Sequence, residues 1–182
     1  RRSSDLVEHN SDGYQIVIPE RCNIARNTVE RYTREHPGNT ALIFESEDLG
    51  TRTWSFAELE QDASRLAYGL EKLGIKRGDR VALHTGMRPE TGIAHMALHK
   101  LGVVAVTLSQ LYGPDTLAHI LNHAEAKAII TQTDAWARFR DRTDEFKTLE
   151  HIVVVDGAVG REIDFIALTE NGPVSLPALD TA

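Results

Sequence analysis

The chain has 182 residues, of which 41% are hydrophobic and 26% charged, so it is long enough to fold around one hydrophobic core. Its formal net charge of −7 argues against a surface for nucleic acid or anionic membranes, because such surfaces need clustered Lys and Arg. A single cysteine, Cys22, excludes an internal disulfide and suits a reducing compartment. Since no apolar run approaches the length of a membrane span either, we expect a cytoplasmic protein without a membrane span.

The first third of the chain predicts a helix and a hairpin. Residues 1–20 are polar and irregular, and we interpret them as an N-terminal segment with one extended stretch at 14–18. Asn23 can cap a helix that runs to about Glu35. Residues 41–45 and 52–54 then form two strand-like runs around a polar link, which favours a β-hairpin.

A long amphipathic helix is predicted next. Ser55 and Glu58 have the spacing of a capping box, in which each side chain accepts a hydrogen bond from the other residue's backbone N–H. Apolar residues then recur at helical spacing, at Leu59, Ala63, Leu66, Leu70 and Leu73. Glu58 is explained by capping, and we expect Glu60 to lie on the helix surface.

Two helices end on the same signal, KLGI at 72–75 and KLGV at 100–103. A glycine at the third position takes the left-handed conformation without steric cost. The residue that follows can pack back onto the last helical turn. Each lysine is expected at a helix end, where the macrodipole favours a cation.

The remaining elements alternate between strands and helices. Strands are predicted at 81–83, 103–108, 128–130 and 152–155, and helices at 89–101, 114–124 and 134–146. Short, wholly apolar strands separated by helices indicate a parallel sheet covered on both faces. The predicted class is therefore α/β, a parallel sheet layered with helices. Residues 171–182 contain two prolines and no periodicity, and they read as a linker.

Common catalytic and phosphate-binding motifs are missing from the sequence. It contains no GxxxxGK[ST], GxGxxG, HExxH, CxxC or GxSxG pattern. Residues 157–160 (GAVG) follow a strand, but a surface turn explains them better than a phosphate loop. Two histidine pairs lie one helical turn apart, His95 with His99 and His119 with His123. We predict no metal site, because a tetrahedral centre needs further ligands that the sequence does not offer.

Arg88 and Tyr112 are the binding candidates that the sequence offers. Both follow predicted parallel strands, and in open α/β sheets ligands bind at the carboxyl ends of the strands. Arg88 could hold a carboxylate or phosphate, and Tyr112 could form a wall of an acyl or pantetheine channel. The alternatives stay open that Arg88 is a surface residue and that Tyr112 packs beneath its loop.

A family resemblance is carried by three pieces in order. They are TWSFAELEQDASRLAYGLEKLGIKRGDRVAL, RPETGIAHMALHKLGVVAVTLSQLYGPDTLAHIL and AKAIIT. Together they resemble the early part of the AMP-forming acyl-CoA synthetases, which are adenylate-forming enzymes. The resemblance extends over about residues 22–156. It implies that residues 21–170 belong to the large N-terminal AMP-binding domain. Residues 1–20 would be an N-terminal entry segment, and residues 171–182 would be a linker toward the nucleotide loop of the family.

The resemblance also implies a reaction, and it shows that a motif needed for this reaction is absent from the chain. The complete enzyme would use ATP, magnesium and CoA to convert a carboxylic acid into an acyl-CoA, AMP and pyrophosphate. The family's nucleotide loop, of the form YTSGTTGxPKG, is absent and would follow residues 177–182. We therefore expect a fragment that has no catalytic residue, binds no cofactor tightly and exposes an apolar edge through which it could form a homo-oligomer.

Two other functions stay open on the sequence. One is a freestanding α/β binding or interaction module without catalysis. The other is the adenylation domain of a peptide synthetase, or an acyl-AMP ligase.

Overall fold

A computed structural model describes residues 7–10, 13–16, 21–47 and 50–181. Two antiparallel hairpins come first along the chain. Strands β1 (Val7–Asn10) and β2 (Gly13–Ile16) form one, and β3 (Thr40–Ser46) and β4 (Gly50–Ser55) form the other. The second hairpin confirms the prediction. The predicted extended stretch is confirmed at 14–16, and its last two residues lie outside the described part.

The main sheet has five parallel strands in the order β6-β5-β7-β8-β9. Its strands are β5 (Arg80–His84), β6 (Val104–Thr107), β7 (Ala128–Thr131), β8 (His151–Val154) and β9 (Ile163–Asp164). The parallel sheet was predicted, except for β9, whose two residues are too few to give a sequence pattern.

Six α-helices lie in the described part of the chain. They are α1 (Arg31–Glu35), α2 (Phe56–Lys72), α3 (Pro89–Lys100), α4 (Pro114–His123), α5 (Thr133–Ala137) and α6 (Phe165–Thr169). A π-helical turn, Arg26–Glu30, leads directly into α1. None of these helices is long and apolar enough to cross a membrane.

The predicted helix at 134–146 is wrong. The chain forms only the short α5, followed by a 3₁₀ segment at Arg140–Glu145. Asp141, Thr143 and Asp144 favour helices weakly, and backbone bonds here close shorter turns, such as Phe146 N–H to the Thr143 carbonyl at 3.2 Å.

Hydrophobic clusters cover both faces of the sheet. Along β5, Val81 and Leu83 belong to the cluster that includes residues of α2 and α3, whereas Ala82 belongs to the cluster that includes residues of α4. The alternation follows from the twofold period of a strand, and it leaves β5 and β7 with no solvent-facing side.

The prediction that Glu60 lies on the helix surface is wrong. Its side chain is buried, and its Oε1 lies 2.7 Å from the Nζ of Lys100, which is fully buried. The same Nζ lies 2.6 Å from Glu30 Oε1. Burial is the main reason that the pKa of Glu60 is raised. The correction has a simple cause: position 60 borders the apolar stripe of α2, and α3 and the C-terminal residues cover that border.

Residues 176–181, part of the segment predicted to be a linker, lie against the body of the chain. Leu176 N–H donates to Ser64 Oγ at 3.0 Å. Residue 181 pairs with Cys22 as an antiparallel bridge. Ala178 is buried.

Both glycines of the repeated stop signal have the predicted left-handed backbone, with φ of +84° at Gly74 and +64° at Gly102. A Cβ at Gly74 would meet open space, but one at Gly102 would lie 2.6 Å from Thr181 Cγ2. We expect Gly74→Ala to lower the free energy of unfolding by about 1 kcal/mol, and Gly102→Ala by about 2 kcal/mol because it adds this clash. Urea denaturation measures both.

Thr181→Ser provides the control for the second variant. It removes Cγ2 but keeps the hydroxyl that donates to the Cys22 carbonyl. In the Thr181→Ser background, the cost of Gly102→Ala should fall towards that of Gly74→Ala, and the part that remains would come from Arg77 Cγ, which lies 3.1 Å from the new Cβ. An undiminished cost there would show that the clash is not its source.

Candidate functional site

The loops at the carboxyl edge of the parallel sheet form the candidate site. Because β5, β7 and β8 are adjacent and parallel, the loops that follow them meet at one edge. Arg88 follows β5, Thr133 follows β7, and Asp156 follows β8. The predicted position of Arg88 at this edge agrees with the structure.

Asp156 joins the three loops. Its Oδ2 accepts a hydrogen bond from Arg88 Nη1 at 3.1 Å, and its Oδ1 accepts from the Thr133 N–H at 2.7 Å. Arg88 Nε also donates to Glu90 Oε2 at 3.2 Å. The guanidinium is thus balanced by two carboxylates, and a phosphate or carboxylate ligand would have to compete with them.

We expect the Asp156 side chain to stabilise this edge mainly through the cap that it provides to α5. Asp156→Ala leaves the Thr133 N–H without its acceptor and should lower the free energy of unfolding by about 1–2 kcal/mol. Asp156→Asn keeps an acceptor oxygen and loses only a half-exposed ion pair, so its loss should stay below about 1 kcal/mol. Equal losses in urea denaturation would contradict this assignment.

An apolar groove lies beside Arg88, between β3 and the start of α3. Its volume is about 400 Å³, and its lining residues are Leu42, Ile43, Phe44, Glu45, Met87, Arg88, Pro89, Thr91, Gly92 and His95. Met87 is 95% exposed and Ile43 is 66% exposed. The site therefore presents an apolar surface next to a paired cation.

Tyr112 lies in the loop after β6, one strand further along the edge. It is 36% exposed and is not among the residues that line the groove beside Arg88. Arg138 Nη2 holds this loop by donating to the Gln110 carbonyl at 2.5 Å. The structure thus places Arg88 and Tyr112 on neighbouring loops of one edge, and Tyr112 lies outside the groove beside Arg88.

His84 is a buried polar residue that the sequence did not single out. It ends β5, its side chain is fully buried, and its Nδ1 lies 3.1 Å from Thr131 Oγ1. The Thr131 hydroxyl donates to the His84 carbonyl at 3.2 Å. Within the part of the chain that the structure describes, His84 Nε2 is buried without a hydrogen bond of ordinary geometry. Burial lowers the pKa of His84 to about 4. Nothing in the apolar run VALH distinguishes this histidine from a strand-end surface residue.

The remaining candidates occupy separate places. His119 and His123 are exposed, with ring centres 5.9 Å apart, and nearby Asp115 pairs with Arg142 at 2.8 Å. Residues 157–160 form a largely exposed turn. Among the residues that the structure describes, no three His, Cys, Asp or Glu side chains are grouped as metal ligands.

The sequence of this chain is similar to that of a known enzyme family. A model of the AMP-binding enzyme family matches residues 29–177. The chain belongs to this family. Relatives include the acetyl-coenzyme A synthetases of Deinococcus radiodurans, 33% identical over 154 residues, and of Streptomyces coelicolor, 30% identical over 143 residues. These alignments cover 79% and 73% of the chain, but only 24% and 22% of the relatives.

Solved structures share the fold of this chain. The crystal structure of the anthranilate CoA ligase AuaEII in complex with anthranoyl-AMP superposes with a TM-score of 0.82 and 26% identity, over 90% of this chain and 31% of that one. The Brucella canis acyl-CoA synthetase shares the fold, with a TM-score of 0.80, 20% identity and coverage of 91% and 30%. The predicted α/β fold of the N-terminal domain of adenylate-forming enzymes is confirmed.

Proposed function

We propose that this chain is the N-terminal part of an AMP-forming acid–CoA ligase. The whole protein would convert a small carboxylic acid, ATP and CoA into an acyl-CoA, AMP and pyrophosphate. The observation that carries this proposal is the family match over residues 29–177, together with the acetyl-coenzyme A synthetase relatives. Since the chain spans about a quarter of the length of those relatives, the activity is proposed for a longer protein.

The chain's own contribution would be one flank of the domain and part of a CoA or acyl channel. A guanidinium suits phosphate because its planar N–H groups match the phosphate oxygens. Arg88 would contribute this group if a CoA phosphate displaced one of its carboxylate partners. The partly exposed ring of Tyr112 would give the neighbouring loop an apolar wall.

The isolated chain is proposed to be catalytically silent. Transfer of an adenylyl group requires cations and backbone N–H groups arranged around the phosphates. The described residues do not provide a carboxylate cluster for magnesium, and the sequence has no phosphate loop. ATP and magnesium would therefore be bound by other parts of the longer protein.

Calorimetric titration of the chain with CoA and with magnesium–ATP, combined with a pyrophosphate-release assay, tests this proposal. Acetate, butyrate, benzoate and 2-aminobenzoate would serve as acids. We expect no pyrophosphate release from the isolated chain. Turnover would refute the silent-fragment proposal, whereas a reading frame that stops after residue 182 would favour the freestanding binding module.

Arg88 is tested in the longer polypeptide that the proposal requires. Arg88→Met should raise the KM for CoA by about tenfold, the loss expected for one hydrogen bond to a charged group. Arg161→Met, a matched change at an exposed arginine, should leave it unchanged. An unaltered KM in both variants would remove Arg88 from the channel.

We also propose a cytoplasmic location and a homo-oligomeric assembly. The half-buried thiol of Cys22 is free, which suits the cytoplasm. Strand β6 ends the main sheet, and Val104 on it is 51% exposed. This edge is where a homo-oligomer would form, and sedimentation at several concentrations would reveal it.

A further inference from the structure

Residues 176–181, which we call the strap, lie in a groove that binds most of their backbone polar groups. Two of their side chains are bound as well: Asp180 pairs with Arg26, and the Thr181 hydroxyl donates to the Cys22 carbonyl at 2.7 Å. The partners come from four places: the segment before the π-helical turn, that turn itself, α2 and α3. The strap's bonds are Leu176 N–H to Ser64 Oγ (3.0 Å), Leu176 O to Lys100 Nζ (2.6 Å), Ala178 N–H to Glu30 Oε1 (2.7 Å), Ala178 O to Arg26 Nη2 (2.5 Å), Leu179 N–H to the Lys100 carbonyl (2.8 Å), Leu179 O to Asn23 Nδ2 (2.8 Å), and the paired backbones of Thr181 and Cys22 (3.1 and 3.2 Å).

The floor of this groove is built independently of the strap. Lys100 Nζ is held between Glu30 and Glu60, and Ser64 Oγ donates to Glu60 Oε1 at 3.1 Å. These charged groups have partners among themselves whether or not the strap is present. The strap adds the Leu176 carbonyl to Lys100 and two N–H donors to Ser64 and Glu30.

Apolar burial contributes little to holding the strap. Ala178 is buried and Leu176 partly so, but Leu179 is 45% exposed, and Pro177 and Asp180 are exposed. Hydrogen bonds contribute only about 1 kcal/mol net in water, or about 2 kcal/mol when one partner is charged, because water replaces them when a segment separates. A segment held mainly by such bonds therefore separates more easily than a strand buried on both faces.

We propose that the strap opens and closes as a unit while the rest of the chain stays folded. Residues 176–181 are then the occupant of a groove that fits an extended segment with a small side chain, Ala178, at its centre. Lys100 holds the first residue of the strap, because its ammonium is fixed by two carboxylates and donates a hydrogen bond to the Leu176 carbonyl. This inference does not depend on the reaction proposed above.

Amide hydrogen exchange on the full chain tests the proposal, using Leu179→Pro and Leu179→Ala. Both variants remove the exposed leucine side chain, but only Leu179→Pro removes the N–H that donates to the Lys100 carbonyl. In the unmodified chain, the amides of Leu176, Ala178 and Thr181 should exchange about 100-fold faster than those of β5 and β7. Leu179→Pro should accelerate the strap amides by a further tenfold or so and leave the sheet unchanged, and Leu179→Ala should change neither.

Three outcomes would overturn the proposal. Strap amides that exchange at the rate of the sheet amides would make the strap part of the global folding unit. Acceleration of sheet and strap together in Leu179→Pro would lead to the same conclusion. Equal effects of Leu179→Pro and Leu179→Ala would assign the attachment to the side chain instead of the backbone.

Discussion

Lys100→Met should lower the free energy of unfolding by about 3–5 kcal/mol. Methionine keeps the apolar stem but removes the ammonium between Glu30 and Glu60, which are buried or nearly so. Two carboxylates would then share a site of low polarity without a counter-charge. Urea denaturation at pH 7 measures the loss.

The repeated stop signal supplies the matched control. Lys72 occupies the same position before Gly74 as Lys100 does before Gly102, but it is exposed, with Nζ 4.9 Å from the Tyr68 ring centre. Lys72→Met should change stability by less than about 0.5 kcal/mol. Adding Glu60→Gln to Lys100→Met should recover part of the loss, because one of the two carboxylates is then uncharged. Similar losses for the two lysine variants would contradict the role assigned to the buried ammonium.

Acid should destabilise the chain through His84. The pKa of this imidazole is about 4 in the folded state and about 6.5 when unfolded, because burial disfavours the charged ring. Below pH 6.5 the unfolded chain binds a proton that the folded chain does not bind. The contribution of His84 is therefore fully present above pH 6.5 and is lost as pH falls towards 4, with a full size of about 3 kcal/mol.

His84→Gln isolates this contribution. Glutamine does not titrate, so the free energy of unfolding of the variant should fall less steeply between pH 6.5 and 4 than that of the unmodified chain. His119→Gln makes the same chemical change at an exposed histidine and should leave the slope unchanged. Parallel curves for His84→Gln and the unmodified chain would show that His84 binds its proton equally in both states.

Local signals in the sequence predicted much of the fold. The Ser55–Glu58 capping box is present as expected, and both glycine stop signals have the left-handed backbone. The residues that form the capping box, and those that form each stop signal, lie within about one helical turn of each other. Their interaction can therefore be predicted from a short stretch of sequence. The parallel sheet followed from apolar strands separated by helices.

Long-range partners could not be predicted. Glu30 and Lys100 are 70 residues apart, so neither the burial of Lys100 nor that of Glu60 has a local signal. Arg88 was placed correctly at the sheet edge, but its partner Asp156 is 68 residues away. The ion pair that decides whether Arg88 is free to bind a ligand therefore became visible only in the folded chain.

The hydrogen bonds of the strap limit how residues 176–181 can vary among relatives. Pro177 and Leu179 are exposed, and their side chains can be exchanged without loss of a bond. Ala178 is buried, Asp180 pairs with Arg26, and the Thr181 hydroxyl donates to the Cys22 carbonyl, so these three positions are more restricted. One inserted or deleted residue would instead put the N–H and carbonyl groups out of phase with Ser64, Lys100 and Glu30. Evolution should therefore conserve the length of this segment more strictly than its composition.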